Sequence, residues 1–262
     1  MNPLAWPQFF DSIPQELSDW VHSAPSPFAL LPQLGQIFVR HFNNLADQPH
    51  PLLRRMEYPS PAGQEFAFFV TQSFTTEQDF VDTKAKVHLA KGVFVEAGAT
   101  LKGPLVVKEG SELRQGCYLR GQVWLGPGCV AGHTTEMKNL VAFSHVEAGH
   151  FAYLGDSILG NYLNLGAGTK ISNLELRSLG DKQNHQFPLL RLPLGEKMLE
   201  TGLTKFGALL GDGVETGCNV VISPGCLMQK QGRILPNQSL LKGVYPQGVL
   251  IKTTNESKRL RL

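Results

Sequence analysis

The sequence predicts an all-β protein built on a parallel β-helix of hexapeptide repeats, with a small mixed α/β appendage on its N-terminal side. Three observations lead there. From Leu89 to Met137 an apolar residue recurs at every sixth position: Leu89, Val95, Leu101, Val107, Leu113, Leu119, Leu125, Ala131 and Met137. Four positions after each stands a second small or modest side chain, at Val93, Ala99, Leu105, Ser111, Cys117, Val123, Cys129 and Thr135. Glycine recurs just ahead of that second set, at Gly92, Gly98, Gly110, Gly116 and Gly128. A six-residue period suits neither a helix nor a hairpin meander. It suits one short strand plus a corner, with three such units to a coil.

Composition narrows the class further. With 262 residues and a net charge of +2, the chain has room for a large domain with an appendage and shows no charge bias toward nucleic acid or an acidic membrane surface. No stretch is long and apolar enough to span a bilayer, and MNPLAWPQFF lacks the basic and apolar regions of a signal peptide. A cytoplasmic location is the expectation, without nucleic-acid or membrane partners. Of the four cysteines, Cys117, Cys129 and Cys226 fall at the small inward position, where a thiol packs as a small hydrophobe rather than as a disulfide or metal ligand.

Residues 1–83 form the appendage. Ser12 with Gln15 reads as a capping box ahead of a helix over Glu16–Ser23. Leu30 to Leu45 carries apolar residues at helical spacing. Pro49 to Pro61 reads as turns and Phe66 to Val70 as a strand. This region is expected to cap the open end of the β-helix, because an uncovered coil end presents strand edges. The β-helix spans residues 84–244. Past Met137 its apolar series continues at Ala142, Ala148, Leu154, Leu159, Leu165 and Ile171, with two steps of only five residues. The period lapses over 174–205, an insertion loop, and resumes at Leu210, Thr216, Ile222, Met228 and Ile234. Such an excursion generally maps to a functional face. Residues 245–262, with Lys258, Arg259 and Arg261, read as a solvated tail.

The period converts sequence distance into spatial columns about 4.8 Å apart per coil. His133, His150 and Ala167 fall in one column, and Arg120, Lys138, Gly155 and Ser172 in another. A guanidinium stacked on an ammonium needs an anion or acidic group between them, or else both side chains splay into solvent. The first alternative motivates a phosphate or carboxylate ligand at Arg120 and Lys138. The column below His150 reaches Gly166-Ala167-Gly168, where bare backbone leaves room for a ligand. An imidazole there suits a general base for acyl transfer, against the alternative of a surface histidine without a role. His145 and His150 stand five apart, a spacing at which trimeric β-helix carbonic anhydrases bind zinc. A third histidine upstream is missing, with Glu109 in its neighbourhood, so no metal is expected.

The run Gly149-His150-Phe151-Ala152-Tyr153-Leu154-Gly155-Asp156, followed by Gly160-Asn161-Tyr162-Leu163-Asn164-Leu165-Gly166-Ala167-Gly168-Thr169, resembles the acetyltransferase half of the bifunctional glucosamine-1-phosphate acetyltransferase / N-acetylglucosamine-1-phosphate uridylyltransferase (GlmU) family. The resemblance extends over roughly residues 85–245. It takes in Glu136-Met137-Lys138-Asn139, Ser172-Asn173-Leu174, Thr201 to Gly207 and Gly211-Asp212-Gly213; the later segments look most like the archaeal-type sugar-phosphate nucleotidylyltransferases with a C-terminal acetyltransferase domain.

The resemblance implies a left-handed parallel β-helix, a homotrimer with active sites between subunits, and acetyl transfer from acetyl-CoA to the amine of an amino-sugar phosphate, most simply glucosamine-1-phosphate, on the way to UDP-GlcNAc. By motif position, His150 resembles the general base and Glu136 a carboxylate near it. Arg120 and Lys138 resemble the phosphate-holding pair; Tyr153, Asn164 and Asn173 resemble substrate contacts. Ala167, between Gly166 and Gly168, resembles a backbone contact to the acetyl-CoA arm. Acyl transfer needs no metal cofactor. Residues 1–83 show no counterpart of the family's uridylyltransferase domain, so uridylyl transfer is not expected, and a separate nucleotidylyltransferase is a candidate partner. Leu174 replaces a frequent aromatic, and the family's following lysine has no aligned match, although Lys182 is nearby. Two other readings stay open: a non-catalytic β-helix that binds a sugar nucleotide or partner protein, and acyl transfer to another amino sugar.

Overall fold

The computed structural model describes residues 4–61, 63–194 and 196–252. The segment read as a tail from residue 245 begins as a further stretch of coil, with Leu250–Ile251 paired parallel to Arg233–Ile234, while Lys258, Arg259 and Arg261 lie outside the described residues. From Val87 onward the chain winds as a parallel β-helix with three sides. Side one begins with the strand Val87–Leu89, side two with Phe94–Val95 and side three with Thr100–Lys102. Like sides of successive coils pair in parallel. On side three, Leu101, Leu119, Met137, Leu154, Ile171, Ile222 and Leu240 stand in register as one inward column. All are essentially buried, so the six-residue period is the period of the core. Cys117, Cys129 and Cys226 belong to the same interior. Burial pushes each of these thiols up to about 12, which keeps them protonated and inert as nucleophiles.

The two five-residue steps have a direct structural meaning. The strands Glu136–Ala142 and Tyr153–Leu159 run through the corner from side three to side one without a break. Each turns on a single residue in the left-handed region, Asn139 (φ 47°) and Asp156 (φ 51°). One coil earlier the same corner uses two residues, Gly121 and Gln122. Asn and Asp tolerate this conformation better than most L-residues. Removing one residue therefore fuses sides one and three into a single sheet and places a polar side chain at each tightened corner.

The appendage does two things. Strands β1 (Arg55–Ser60) and β2 (Gly63–Phe69) form a hairpin, followed by β3 (Phe74–Thr75) and β4 (Phe80–Asp82). β2, β3 and β4 pair antiparallel with Thr100–Lys102, Phe94–Val95 and Val87–Leu89, so every side of the first coil gains a partner and its edge is covered. The turn reading of 49–61 misses β1, whose Pro59 is tolerated because β1 is an edge strand.

The helices α1 (Gln15–Ser23) and α2 (Leu30–Phe42) lie along side one instead of over the end. Leu17, Trp20 and Val21 of α1, and Leu34, Ile37 and Phe38 of α2, are buried against the outward residues Val106, Trp124, Val141, Ile158, Leu209 and Leu227. The expected capping box does not form. Pro14 is the N-cap of α1 and no side chain caps it, while the Ser12 carbonyl accepts from Asn161 Nδ2 at 2.9 Å. α2 stops at Phe42 rather than Leu45, closed by the Asn43 N–H on the Val39 carbonyl.

The 174–205 excursion contains the short helix α3 (Leu179–Gln183) and a hairpin, Arg191–Leu194 with Lys197–Glu200. Leu190, Leu192 and Phe206 anchor it in the same outer cluster as α1 and α2, with Phe206 edge-on to Phe28 at 5.0 Å. Side one is thus shielded by helices and by the excursion, whereas the site residues read from the sequence lie on sides two and three, at the corner between them and, for Asn173, just past the end of side three.

Candidate active site

Side three carries a ladder of cations. Lys102 pairs in register with Arg120, Leu119 with Met137, and Lys138 with Gly155, so Lys102, Arg120 and Lys138 stack on successive coils. Two like charges one strand spacing apart repel by about 0.9 kcal/mol in water and about 3.5 kcal/mol at an effective dielectric of 20. The protein offsets this with its own carboxylates. Lys102 meets Glu65 at 3.2 Å, Arg120 meets Glu136 at 2.6 Å and Lys138 meets Asp156 at 3.3 Å. The hydrogen bond that Arg120 donates to Glu136 holds the guanidinium charged above its already high range. The acidic group that the stacked cations require is therefore built into the fold. Arg120 remains exposed at its outer edge, and Arg120, Gln122, Lys138 and Asn139 line an open cleft of about 270 Å³ with Gly103, Pro104 and Gly121.

Asp156 is the hub that the sequence reading left without a role. It is 6 % exposed. Asn139 Nδ2 donates to its Oδ1 at 2.7 Å, and Asn173 Nδ2 and Lys138 Nζ approach its Oδ2. Tyr153 joins the cluster. A Cβ built on Gly155 would meet Tyr153 Oη at 2.8 Å and Asn173 Nδ2 at 3.3 Å, which places these two groups over the bare Gly155 backbone. Burial raises the Tyr153 phenol above its ordinary range, and the Asp156 and Glu136 carboxylates push it the same way. The tightened corners at Asn139 and Asp156 were the available signal: a polar residue at the shortened step must hold a left-handed turn and point its side chain into its neighbours.

His150 ends the side-two strand Glu147–His150, at the corner that leads into side three. It pairs in register with His133, and its carbonyl accepts from Gly168 N at 2.9 Å, which confirms the column His133, His150, Ala167. The ring is exposed. Among the described residues its ring neighbour is Phe151, with centroids 6.1 Å apart, whereas His133 Nδ1 is engaged with the Gln115 carbonyl at 2.8 Å. From His150 to Gly155, the register partner of Lys138, the chain covers no more than about 18 Å. Glu136 and Tyr153, paired in register, lie between the histidine edge and the cation edge.

Two groups lie apart from this cluster. Asn164 is exposed on side two, in register with Glu147 and Glu215. Gly166 and Gly168 border the histidine column, but Gly166 is also needed for packing. A Cβ there would meet Gly217 C at 2.5 Å and the Thr216 carbonyl oxygen at 2.6 Å. The bare backbone read as room for a ligand is in part room for the next coil. His145 stacks on Tyr162 at 5.0 Å on the far corner of side two. Among the described residues no group of three or more His, Cys, Asp or Glu side chains is arranged to hold a metal ion, and no helix is long and apolar enough to cross a membrane.

No family model matches the chain. A bifunctional sugar-1-phosphate nucleotidylyltransferase/acetyltransferase of Sulfurisphaera tokodaii is 31% identical over 160 residues, covering 54% of this chain and 38% of that protein. Proteins named bifunctional protein GlmU from Methanococcus vannielii and Methanocaldococcus jannaschii are 30% and 28% identical, covering 52% and 64% of this chain and 30% and 41% of theirs. The chain thus spans less than half the length of these relatives. Among solved structures, a mutant of AntD, an N-acyltransferase from Bacillus cereus in complex with dTDP and coenzyme A, is 13% identical with a TM-score of 0.25, covering 63% of this chain and 83% of that one, an overlap too low to carry an argument. Over about half of its length, in its C-terminal region, this chain is homologous to the GlmU and sugar-1-phosphate nucleotidylyltransferase/acetyltransferase proteins.

Proposed function

We propose that this chain is an acetyl-CoA-dependent N-acetyltransferase acting on an amino-sugar phosphate, most simply glucosamine-1-phosphate. The observation that carries the reading is the exposed His150 at the corner where side two turns into side three, the side that presents the carboxylate-matched Arg120 and Lys138. In this reading the substrate amine attacks the thioester carbonyl and His150 accepts the proton. The tetrahedral intermediate collapses to the amide and the coenzyme A thiol, which takes up a proton as it leaves. Arg120, the more exposed cation, turns from Glu136 toward the sugar phosphate, while Lys138 stays on Asp156 and supplies charge from a fixed place. Tyr153 and Asn173 face the sugar, and the backbone at Gly166, Ala167 and Gly168 receives the acetyl-CoA arm.

The split of the residues over two sides supports an assembly in the same reading. Asn164 stands on side two and the cation cluster on side three, and one ligand reaches both only if side two of one copy faces side three of another. Side one is closed to such contacts by α1, α2 and the excursion. A homotrimer with active sites between subunits satisfies this, and a cytoplasmic place in amino-sugar metabolism goes with it.

Coenzyme A release in the presence of acetyl-CoA and glucosamine-1-phosphate tests the reading. His150→Ala is expected to lower the rate by about 10²–10⁴-fold with an unchanged melting temperature, because the ring is exposed. Absence of transfer by the unmodified protein to any amino-sugar phosphate, or full activity in His150→Ala, overturns it.

A further inference from the structure

We propose that Asp156 is the positioning residue of the acceptor site: one buried carboxylate that locks Lys138, Asn139 and Asn173 into a single frame. The proposal rests on the acetyl-transfer reading for its functional meaning, and on the geometry for its physical content. A carboxylate that is 6 % exposed is costly unless its oxygens are engaged. Here Oδ1 accepts from Asn139 Nδ2 at 2.7 Å, and Oδ2 accepts from Asn173 Nδ2 and pairs with Lys138 Nζ at 3.3 Å. The donors come from two neighbouring coils: Lys138 and Asn139 side by side at the shortened corner one coil above, and Asn173 just after Lys170–Ile171 one coil below. No other side chain of the cluster touches all three.

The consequence is specific. Lys138 carries four rotatable bonds and, unpaired, would sample solvent. Held by Asp156 it keeps one direction, along the cleft wall beside Arg120. Asn173 is held the same way, and its Nδ2 also lies beside Tyr153 Oη above Gly155. The phosphate end and the sugar end of an acceptor are therefore referenced to one atom pair. Arg120 is outside this frame, since its partner is Glu136 at 33 % side-chain exposure. The site thus combines a fixed cation with a movable one. The left-handed φ of 51° at Asp156 ties the frame to the five-residue step that creates the corner.

Asp156→Asn keeps the shape and left-handed tolerance of the side chain but turns one acceptor oxygen into an N–H₂, which faces Asn173 or Lys138 as donor against donor. Steady-state kinetics are expected to show a rise of about tenfold or more in KM for glucosamine-1-phosphate, with KM for acetyl-CoA within about twofold. In a Lys138→Met background the same substitution is expected to add less than it does alone, because the part of its effect that passes through Lys138 is already lost. Equal rises in both KM values, or full additivity with Lys138→Met, overturn the positioning role while leaving acetyl transfer intact. If the unmodified protein transfers no acetyl group, the acetyl-transfer reading fails separately. The frame is then judged on the crystal structure of Asp156→Asn: Lys138 and Asn173 side chains displaced from each other support it, and unchanged positions overturn it.

Discussion

Phe143 reports how firmly the appendage is joined to the β-helix. It is fully buried at the start of a side-one corner, and its ring lies 4.7 Å from that of Phe10, tilted by 52°. Phe10 is itself 5 % exposed. Phe143→Ala removes a buried aromatic from a site framed by the coil backbone on one side, so the gap cannot close fully. A loss of about 3–5 kcal/mol is expected, of which about 0.5–1.5 kcal/mol is the ring–ring contact. At an m-value of about 3 kcal/mol/M in urea, the midpoint falls by about 1–1.7 M. Trp6, Trp20 and Trp124 all belong to or pack on this outer cluster, so tryptophan fluorescence follows the joint itself while far-ultraviolet circular dichroism follows the coils. The double substitution with Phe10→Ala should cost less than the two single losses together, by at least the ring–ring contact. A Phe143→Ala loss below about 1 kcal/mol, or strict additivity with Phe10→Ala, would refute the idea that this contact fastens α1 and α2 to side one.

Two further predictions concern the joint and the coil. His41 Nε2 and His88 Nδ1 are 2.7 Å apart, and His88 Nε2 is 3.1 Å from Asp79 Oδ2. Burial disfavours the charged form of both rings; with Asp79 accepting from His88 Nε2, a neutral His88 accepts at Nδ1 from His41. Burial, with smaller contributions from His88 and Lys108, lowers His41 from 6.5 to about 4, so the unfolded chain binds a proton between those values before the folded one does. Stability from this joint is complete above pH 6.5 and falls as pH drops toward 4. Melting temperatures over that range should fall less steeply for His41→Gln than for the unmodified protein, and identical slopes would contradict the assignment. Gly166→Ala should lower stability by about 1–3 kcal/mol, measured by thermal melting, because its Cβ would strike the backbone of Gly217. Gly180→Ala is the control. It sits in exposed α3 with only Ser178 Oγ at 3.8 Å, so a neutral or stabilising change is expected.

Much of this was legible in the chain. A six-residue period has one physical cause, an inward side chain once per strand-plus-corner, so Leu119, Met137 and Leu154 could be stacked before any coordinates. The columns of His150 and Lys138 followed from the same count. Where α1 and α2 dock was harder to read, because the period counts inward residues only. The signal was nevertheless present: Leu105-Val106-Val107, Val123-Trp124-Leu125 and Leu140-Val141-Ala142 are apolar at the middle position as well, which marks a strand buried on both faces. Asp156 stood inside the quoted motif, yet its role depends on Asn139 and Asn173 arriving from neighbouring coils. Such a meeting is three-dimensional, and a single repeat does not encode it. The ion partners of Lys102 and Arg120 were hidden for the same reason.

The shortened corners also change the girth of the solenoid. Leu101, Leu119 and Met137 are spaced by 18 residues, but Met137, Leu154 and Ile171 by 17. Each missing residue withdraws about 3.3 Å of contour from one lap of the chain. The shortening falls on the two laps that carry Lys138, Asn139, Tyr153 and Asp156, and it is confined to the corner, because the strands on either side keep their register with the neighbouring coils. The residue lost from each lap is a spacer between side three and side one, so Asn139 and Asp156 follow directly on the strand positions of Lys138 and Gly155.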